Sequence, residues 1–158
     1  MRYSMKMTQS TKKLHKKVHK HARVMAFGTF DILHPGHLHY LNGAKKFGDE
    51  LVVVIARDST VKKLKGRFPT NDEGARKQMV SALRCVDKAV MGNEGVIYDI
   101  VAEIKPDVIA LGYDQHVDTE KLERELKKRE LKCKVIRLKP FHAKKFKSTI
   151  IKEKIRKR

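Results

Sequence analysis

The chain has 158 residues, of which 41% are hydrophobic, and its 37 Lys and Arg against 18 Asp and Glu give a net charge of +19 with neutral histidine. This length accommodates one compact domain, and the apolar content suffices for a core, which excludes a chain disordered throughout. Two cysteines with neither CxxC nor zinc-finger spacing exclude a disulfide framework. No apolar stretch approaches the roughly 20 residues of a membrane-spanning helix, so the sequence predicts a soluble, cytoplasmic protein without a membrane partner.

The positive charge is concentrated at the two ends of the chain. Residues 1–23 hold eight basic residues and no acid, and residues 132–158 hold twelve basic residues and one acid, so the segment between them is neutral. We therefore expect a basic N-terminal arm over residues 1–22 and one domain over residues 23–158 with a basic C-terminal helix. A nucleic-acid-binding domain usually carries its cations on one folded face, so this distribution argues against nucleic acid as the primary partner.

Apolar runs alternate with capped, amphipathic segments along the chain. In chain order the patterns predict strand 23–28, a helix from 35 to about 47, strand 51–56, a polar and basic stretch 58–71, a helix that starts at the caps 71–73, strand 88–91, helix 95–105, strand 107–111, helix 118–131, strand 134–138 and a last helix from 148. The sequence therefore predicts a single α/β domain, a Rossmann-like doubly wound parallel sheet of about five strands flanked by helices. In such a sheet, ligands bind beyond the carboxyl ends of the strands, at the switch in strand order.

The segment from Gly28 to His37 carries the most informative pattern. It has the sequence GTFDILHPGH and leads from the first predicted strand into the first predicted helix, where free backbone N–H groups and the helix dipole favour a phosphate. His34 and His37 are three positions apart at the helix start, so both rings can face one anion. The segment contains neither a P-loop nor GxGxxG. Two histidines here could also be caps or surface residues, or bind a metal together with His39.

The combination of a strand, GTFD and HPGH resembles the HxGH signature of the cytidylyltransferase-like nucleotidyltransferase superfamily, over about residues 23–152. The chain is most similar to archaeal-type FAD synthetases, which transfer AMP from ATP to FMN. Residues 56–67 after the second strand and LGYDQ at residues 111–115 support this choice. Glycerol-3-phosphate cytidylyltransferases, which use CTP, are the next most similar and form the alternative. A nucleic-acid-binding protein that acts through its basic termini is the distant alternative.

The resemblance implies a role for the residues of the signature and for several beyond it. The implied nucleotide-binding residues are Thr29, Phe30, His34, Pro35, Gly36, His37, Arg76, Asp114, Ser148 and Thr149. The implied catalytic residues are His34, His37, Lys63 and Lys65, and Arg76 completes a cationic clamp on the phosphates; which lysine of residues 62–65 contacts phosphate stays open. Cytidylyltransferases carry an Arg-Thr-Glu-Gly-Ile-Ser-Thr type motif near this end, whereas this chain has FHAKKFKST at residues 141–149, without an aligned arginine.

The implied reaction needs no nucleophilic side chain, because a phosphate oxygen of the acceptor attacks the α-phosphorus of the nucleotide in line and pyrophosphate leaves. We expect Mg²⁺ or another divalent cation to bridge the phosphates and to be held by the substrate, with no metal ligands from the chain. The small-molecule partners are then ATP and FMN, and the resemblance implies a homodimer. FMN needs a flat apolar slot for its isoalloxazine ring, whereas glycerol phosphate needs only a small polar site.

Overall fold

The computed structural model describes residues 22–94, 97–142 and 144–157. The predicted basic arm lies outside this part of the chain, apart from Ala22. None of the helices in the described ranges combines the length and the apolarity that crossing a bilayer requires.

Within the described residues, five parallel strands form one sheet in the order β3-β2-β1-β4-β5. The strands are β1 (Arg23–Gly28), β2 (Glu50–Ile55), β3 (Lys88–Met91), β4 (Val108–Leu111) and β5 (Lys134–Arg137). Strand β1 is central, with Ala26 in register with Val53 of β2 and with Ala110 of β4. The chain extends from β1 through β2 to β3 and then returns to β4, so the order switches between β1 and β4. The predicted doubly wound sheet is confirmed.

Six helices accompany these strands in the described part of the chain. They are α1 (Pro35–Lys45), α2 (Asp58–Lys65), α3 (Glu73–Ser81), α4 (Ile97–Ile104), α5 (Thr119–Lys128) and α6 (Ser148–Arg156). Helix α5 ends three residues before the predicted end at Leu131, where Glu130 adopts a positive φ of 56° that an α-helix cannot continue. The predicted start of α4 at residue 95 lies outside the described residues.

The sequence patterns do not predict helix α2, because its segment is dominated by polar and basic residues. Val61 is the buried residue of this helix, so the apolar signal amounts to a single position. The helix ends at Gly66, whose φ of 72° is left-handed and whose N–H donates to the Lys62 carbonyl at 2.8 Å. This sharp end sends the following loop across the carboxyl edge of the sheet.

Two apolar layers cover the sheet, one on each face. Helices α1 and α3 pack on one layer and α4 and α5 on the other, because strand side chains alternate between the faces. Val24 and Ala26 of β1 face the first layer, whereas Met25 faces the second. Burial of both faces stabilises the sheet and leaves the loops at its carboxyl edge free to form a site.

Candidate active site

A cleft of about 840 Å³ lies at the carboxyl edge of the sheet, beside the switch between β1 and β4. Its walls come from the loop after β1, the start of α1, helix α2 with the loop that follows, the loop after β4, and the segment from residue 138 to 152. Nine predicted site residues line it: Thr29, Phe30, His34, Gly36, His37, Lys65, Asp114, Ser148 and Thr149. Three do not line it: Pro35, Lys63 and Arg76.

The two signature histidines form a stacked pair at the start of α1. Their ring centroids are 3.7 Å apart with an interplanar angle of 19°, and Phe30 meets the His37 ring edge-on at 5.1 Å. Pro35 occupies the first turn, so its fixed φ sets the direction of the helix without needing an N–H partner. The Nδ1 atoms of both histidines are buried without a hydrogen-bond partner. A buried polar atom left unpaired costs free energy, so this pair is suited to a ligand.

The histidine pair is electrically neutral at neutral pH. Burial, with smaller contributions from the neighbouring His34 and from Lys65, lowers the pKa of His37 to about 3. Burial also lowers the pKa of His34, although Asp114 opposes that shift. A neutral imidazole presents one N–H donor and one acceptor nitrogen. The pair therefore offers donors to an anion without a prior charge–charge repulsion between the rings.

Lys65, rather than Lys63, faces the signature residues. Its Nζ atom donates to the Thr29 hydroxyl at 3.2 Å, and the side chain lines the cleft. Lys63 is exposed and lies two positions away on the same helix, so it points to a different side. Of the lysines in residues 62–65, Lys65 is the one that lines the cleft.

Arg76 does not take the place in a cationic clamp on the phosphates that the resemblance implies. Its side chain has no exposed surface, and its guanidinium donates to the carbonyls of Thr29, Ala56 and Asn71 and to the Asp58 carboxylate. A covered guanidinium with these bonds is not available to a phosphate. Arg76 instead connects the loops that follow β1 and β2 to the start of α3, and so acts as a positioning residue.

Asp31 is a site residue for which the sequence predicts no role. It is 6% exposed, and it accepts the backbone N–H groups of Thr70 and Asn71 at 2.8 and 3.0 Å. Lys152 of α6 forms an ion pair with the same carboxylate. Burial opposes ionisation of Asp31, but Lys152 and the two N–H groups hold its pKa below the usual value. This carboxylate therefore joins the loop after β1, the loop before α3 and the last helix.

The last helix begins beside the histidines. The Ser148 hydroxyl donates to the Ile32 carbonyl at 3.2 Å, and both Ser148 and Thr149 line the cleft. A Cβ atom at Gly36 would lie 3.1 Å from the Phe146 carbonyl oxygen and 3.0 Å from His34 ring atoms. The glycine of the signature therefore lets Phe146 approach the start of α1 closely, which adds a structural reason for its presence.

His39 is not part of the stacked histidine pair. Its ring stacks on Phe141 at 4.7 Å, and Phe141 stacks on Phe146 at 5.9 Å. Over the ranges that the structure describes, no group of three His, Cys, Asp or Glu side chains is arranged to hold a metal ion. The interpretation of His34, His37 and His39 as a metal site is thus not supported by the geometry.

Tyr113 adds a further unpaired polar atom to the cleft. Its hydroxyl is buried without a hydrogen-bond partner, and Lys147 lies 5.4 Å above its ring. Lys147 also approaches Asp114, with 3.9 Å between Nζ and Oδ2. Tyr113, Asp114 and Lys147 thus form a polar wall opposite the side of the cleft formed by α2.

Comparison with known proteins gives a family match over most of the chain. The family model described as cytidylyltransferase-like matches residues 25–154. The FAD synthase of Thermoplasma volcanium is 53% identical over 104 residues, which cover 66% of this chain and 72% of that protein. The FAD synthase of Archaeoglobus profundus is 55% identical over 106 residues, which cover 66% of each chain.

Solved structures share the fold. The lipopolysaccharide core biosynthesis protein from Thermoplasma volcanium is similar with a TM-score of 0.74 and 48% identity, over 76% of this chain and 98% of that one. A pantothenate synthetase from Thermus thermophilus has a TM-score of 0.55 at 12% identity, over 90% of this chain and 68% of that one. At that identity the second similarity concerns the fold alone.

Proposed function

Since this chain belongs to the cytidylyltransferase-like family, we propose that it is a nucleotidyltransferase that transfers AMP from ATP to FMN, giving FAD and pyrophosphate. The observation that carries the proposal is the stacked His34–His37 pair, with its unpaired buried nitrogens, at a helix start in a chain of which 66% aligns with FAD synthases at 53 and 55% identity. A catalytic domain over residues 23–158, preceded by a basic arm over residues 1–22, remains a prediction. The cytoplasmic location and the homodimer remain predictions.

The reaction is a single in-line displacement. A phosphate oxygen of FMN attacks the α-phosphorus of ATP, the new P–O bond forms, and the bond between the α-phosphorus and the bridging oxygen breaks to release pyrophosphate. Negative charge grows on the leaving group and on the equatorial oxygens as this happens. Donors fixed in advance at these positions lower the barrier, because they need no reorganisation during the reaction.

His34 and His37 supply such donors. Their neutral rings in the free protein avoid mutual repulsion, and the arrival of a polyanion raises their affinity for protons. Lys65 lies beside Thr29 and contributes a full positive charge to the same end of the cleft. The starts of α1 and α6 add the positive ends of two helix dipoles, with Ser148 and Thr149 at the second.

Mg²⁺ enters as the complex with the phosphates of ATP. Mg²⁺ keeps several waters and is usually bound through one or two carboxylates and substrate phosphates, so we assign the ion to the substrate. The ion neutralises charge on the phosphates, and no step of the mechanism is assigned to a metal held by the protein.

The cleft favours FMN over glycerol phosphate as the acceptor. Its volume of about 840 Å³ lies in the range of sites for drug-sized ligands, and apolar side chains such as Leu64, Phe68 and Phe146 line it. A small polar phospho-alcohol would leave this apolar surface exposed to water. Transfer of CMP from CTP to such an acceptor is therefore the second candidate.

Pyrophosphate release tests the proposal when ATP or CTP is combined with FMN or glycerol-3-phosphate, with chromatography identifying the product. We expect release and FAD formation with ATP and FMN, and a loss in kcat of about 10²–10³-fold for His37→Ala, as for removal of a transition-state donor. Reaction of CTP with glycerol-3-phosphate alone would overturn the choice of substrates but keep the chemistry. Affinity for nucleic acid that survives His37→Ala, without turnover of any pair, would favour the distant alternative.

A further inference from the structure

Helix α2 and the loop after it carry apolar surface that is uncovered in the protein. Leu64 is 78% exposed and Phe68 is 56% exposed, and both line the cleft. A large apolar side chain exposed at the rim of a cleft marks a surface that a ligand covers. The core layers do not require either residue.

The exposed surface has a direction set by helical spacing. Thr60 and Leu64, four positions apart, lie on the cleft side of α2 together with Val61 and Lys65. Lys65 donates to Thr29 of the signature segment, whereas Leu64 and Phe68 present exposed apolar surface. On this side the cleft therefore combines a cation at the signature residues with apolar surface at Leu64 and Phe68.

Phe68 is held in place rather than free to move away. The loop that carries it starts at the left-handed Gly66 and is fixed at its other end by the Asp31 carboxylate, which accepts the N–H groups of Thr70 and Asn71. Lys62 lies over the Phe68 ring, 4.5 Å from its centroid. A ring fixed in this way loses little entropy when a ligand stacks on it.

We propose that Phe68 and Leu64 form the platform for the isoalloxazine ring of the acceptor, with the flavin phosphate directed inward toward Lys65. FMN has the matching polarity, since a flat apolar ring lies at one end of the molecule and a phosphate dianion at the other. The inference rests on the proposed function for the identity of the acceptor. It assigns the acceptor to the α2 side of the cleft and leaves the opposite wall to the nucleotide.

A second aromatic surface of the cleft, formed by His39, Phe141 and Phe146, is the rival platform for the flavin ring. There the rings of His39, Phe141 and Phe146 already pack against one another, and all three are half-buried. These contacts make the wall part of the packed structure, whereas Phe68 keeps more than half of its surface in water. A flavin ring that covers Phe68 therefore removes more apolar surface from water than one that covers the His39, Phe141 and Phe146 surface.

The test measures flavin affinity directly, by quenching of flavin fluorescence in the full-length protein without ATP. Phe68→Ala is compared with Phe68→Tyr, which keeps the ring, and with Phe146→Leu on the rival wall. We expect Phe68→Ala to raise the Kd for FMN about tenfold, as loss of a stacking side chain does, and Phe68→Tyr to change it less than about twofold. Because Phe68 is exposed, the melting temperature of its variants serves to show that the fold is intact.

Riboflavin, which lacks the phosphate, separates the two ends of the site. Phe68→Ala weakens riboflavin and FMN alike, whereas Lys65→Ala weakens FMN more than riboflavin. An unchanged Kd for FMN in Phe68→Ala, or a rise confined to Phe146→Leu, overturns the proposal even if the wild-type protein makes FAD. Flavin binding that depends on Phe68 in a protein that makes no FAD would instead keep this site and refute the proposed function.

Discussion

The two ends of the sheet differ in whether the polar groups there have hydrogen-bond partners. At the amino end, three carboxylates accept N–H groups at the starts of neighbouring strands: Asp49 from Ala22 at 3.1 Å, Asp107 from Arg23 at 2.7 Å, and Asp87 from Leu51 at 2.6 Å. At the carboxyl end, the Nδ1 atoms of His34 and His37 and the Tyr113 hydroxyl are buried without a partner. One end thus stabilises the fold, and the other is prepared for a ligand.

Arg76 shows that this difference follows function and not position. It lies at the carboxyl edge, yet its guanidinium is bonded to three carbonyls and one carboxylate. The unpaired atoms nearby are therefore not a general property of this edge. A ligand can supply partners to the histidines and Tyr113, whereas a phosphate would have to displace existing bonds to reach Arg76. At this edge, buried polar groups without a partner therefore indicate binding residues, whereas a fully bonded group such as Arg76 indicates a positioning residue.

Arg76→Met should lower the free energy of unfolding more than the other changes considered for the two ends of the sheet. The change removes the donor to three carbonyls and to the partly exposed Asp58 carboxylate, and a buried acceptor left without a partner costs about 1–3 kcal/mol in the free energy of unfolding. Urea denaturation measures the loss, and Arg84→Met at an exposed position is the matched control, with an expected change within about 0.5 kcal/mol. Equal stability of the two variants would show that Arg76 does not hold these loops together.

The pH dependence of stability tests whether His37, at the carboxyl end of the sheet, is neutral in the free protein. The pKa of His37 is lowered from 6.5 to about 3, so the unfolded chain takes up a proton that the folded protein does not. Its contribution to stability is fully present above pH 6.5 and decreases as the pH falls toward 3. Between pH 8 and pH 5 we expect a loss of up to about 2 kcal/mol from this group.

His37→Asn checks the origin of this pH dependence, because asparagine does not titrate. Unfolding free energies at pH 8, 6.5 and 5 should give a flatter profile in the variant. The carboxylates with lowered pKa, such as Asp31 and Asp87, lose their contribution at lower pH and do not obscure this window. Parallel profiles for the two proteins would contradict the assignment of a neutral His37 in the free protein.

The pair Lys65→Ala and Lys63→Ala tests which lysine faces the phosphates. Lys65 lines the cleft and bonds to Thr29, so its loss should lower kcat/KM for ATP and FMN about tenfold, in line with a hydrogen bond to a charged group. Lys63 is exposed outside the cleft, and we expect a change below about twofold. Initial rates of pyrophosphate release decide between them, and the reverse order would return Lys63 to the catalytic residues.

The parts of this structure that sequence patterns predicted are those with local signals. Strand β2 is buried from Leu51 to Ile55 and stands out as a continuous apolar run, and the histidine pair comes from one short motif. Helix α2 buries only Val61 among its eight residues, so periodicity could not reveal it.

Contacts between residues that are distant in sequence have no local sequence pattern that predicts them. Asp31 and Lys152 are 121 positions apart, and nothing in either segment specifies the pairing. The resemblance implies that Arg76 binds phosphate, but its burial among the carbonyls of Thr29, Ala56 and Asn71 is set by tertiary packing, which the sequence does not reveal. Nine of the predicted site residues therefore line one cleft beside the signature, while the residues that position them depend on tertiary packing.

Asp107→Ala tests the amino end of the sheet, where the polar groups are hydrogen-bonded, and we expect it to have the smallest effect on stability. The Arg23 N–H at the start of β1 loses its carboxylate acceptor, and because this bond is exposed, water replaces it. The expected loss is about 1 kcal/mol in the free energy of unfolding, the usual net value of one hydrogen bond, with kcat unchanged. Asp107→Asn keeps an acceptor oxygen and should lose less. A fall in kcat without a fall in stability would mean that the amino end influences the reaction, and the division between a stabilising end and a binding end would fail.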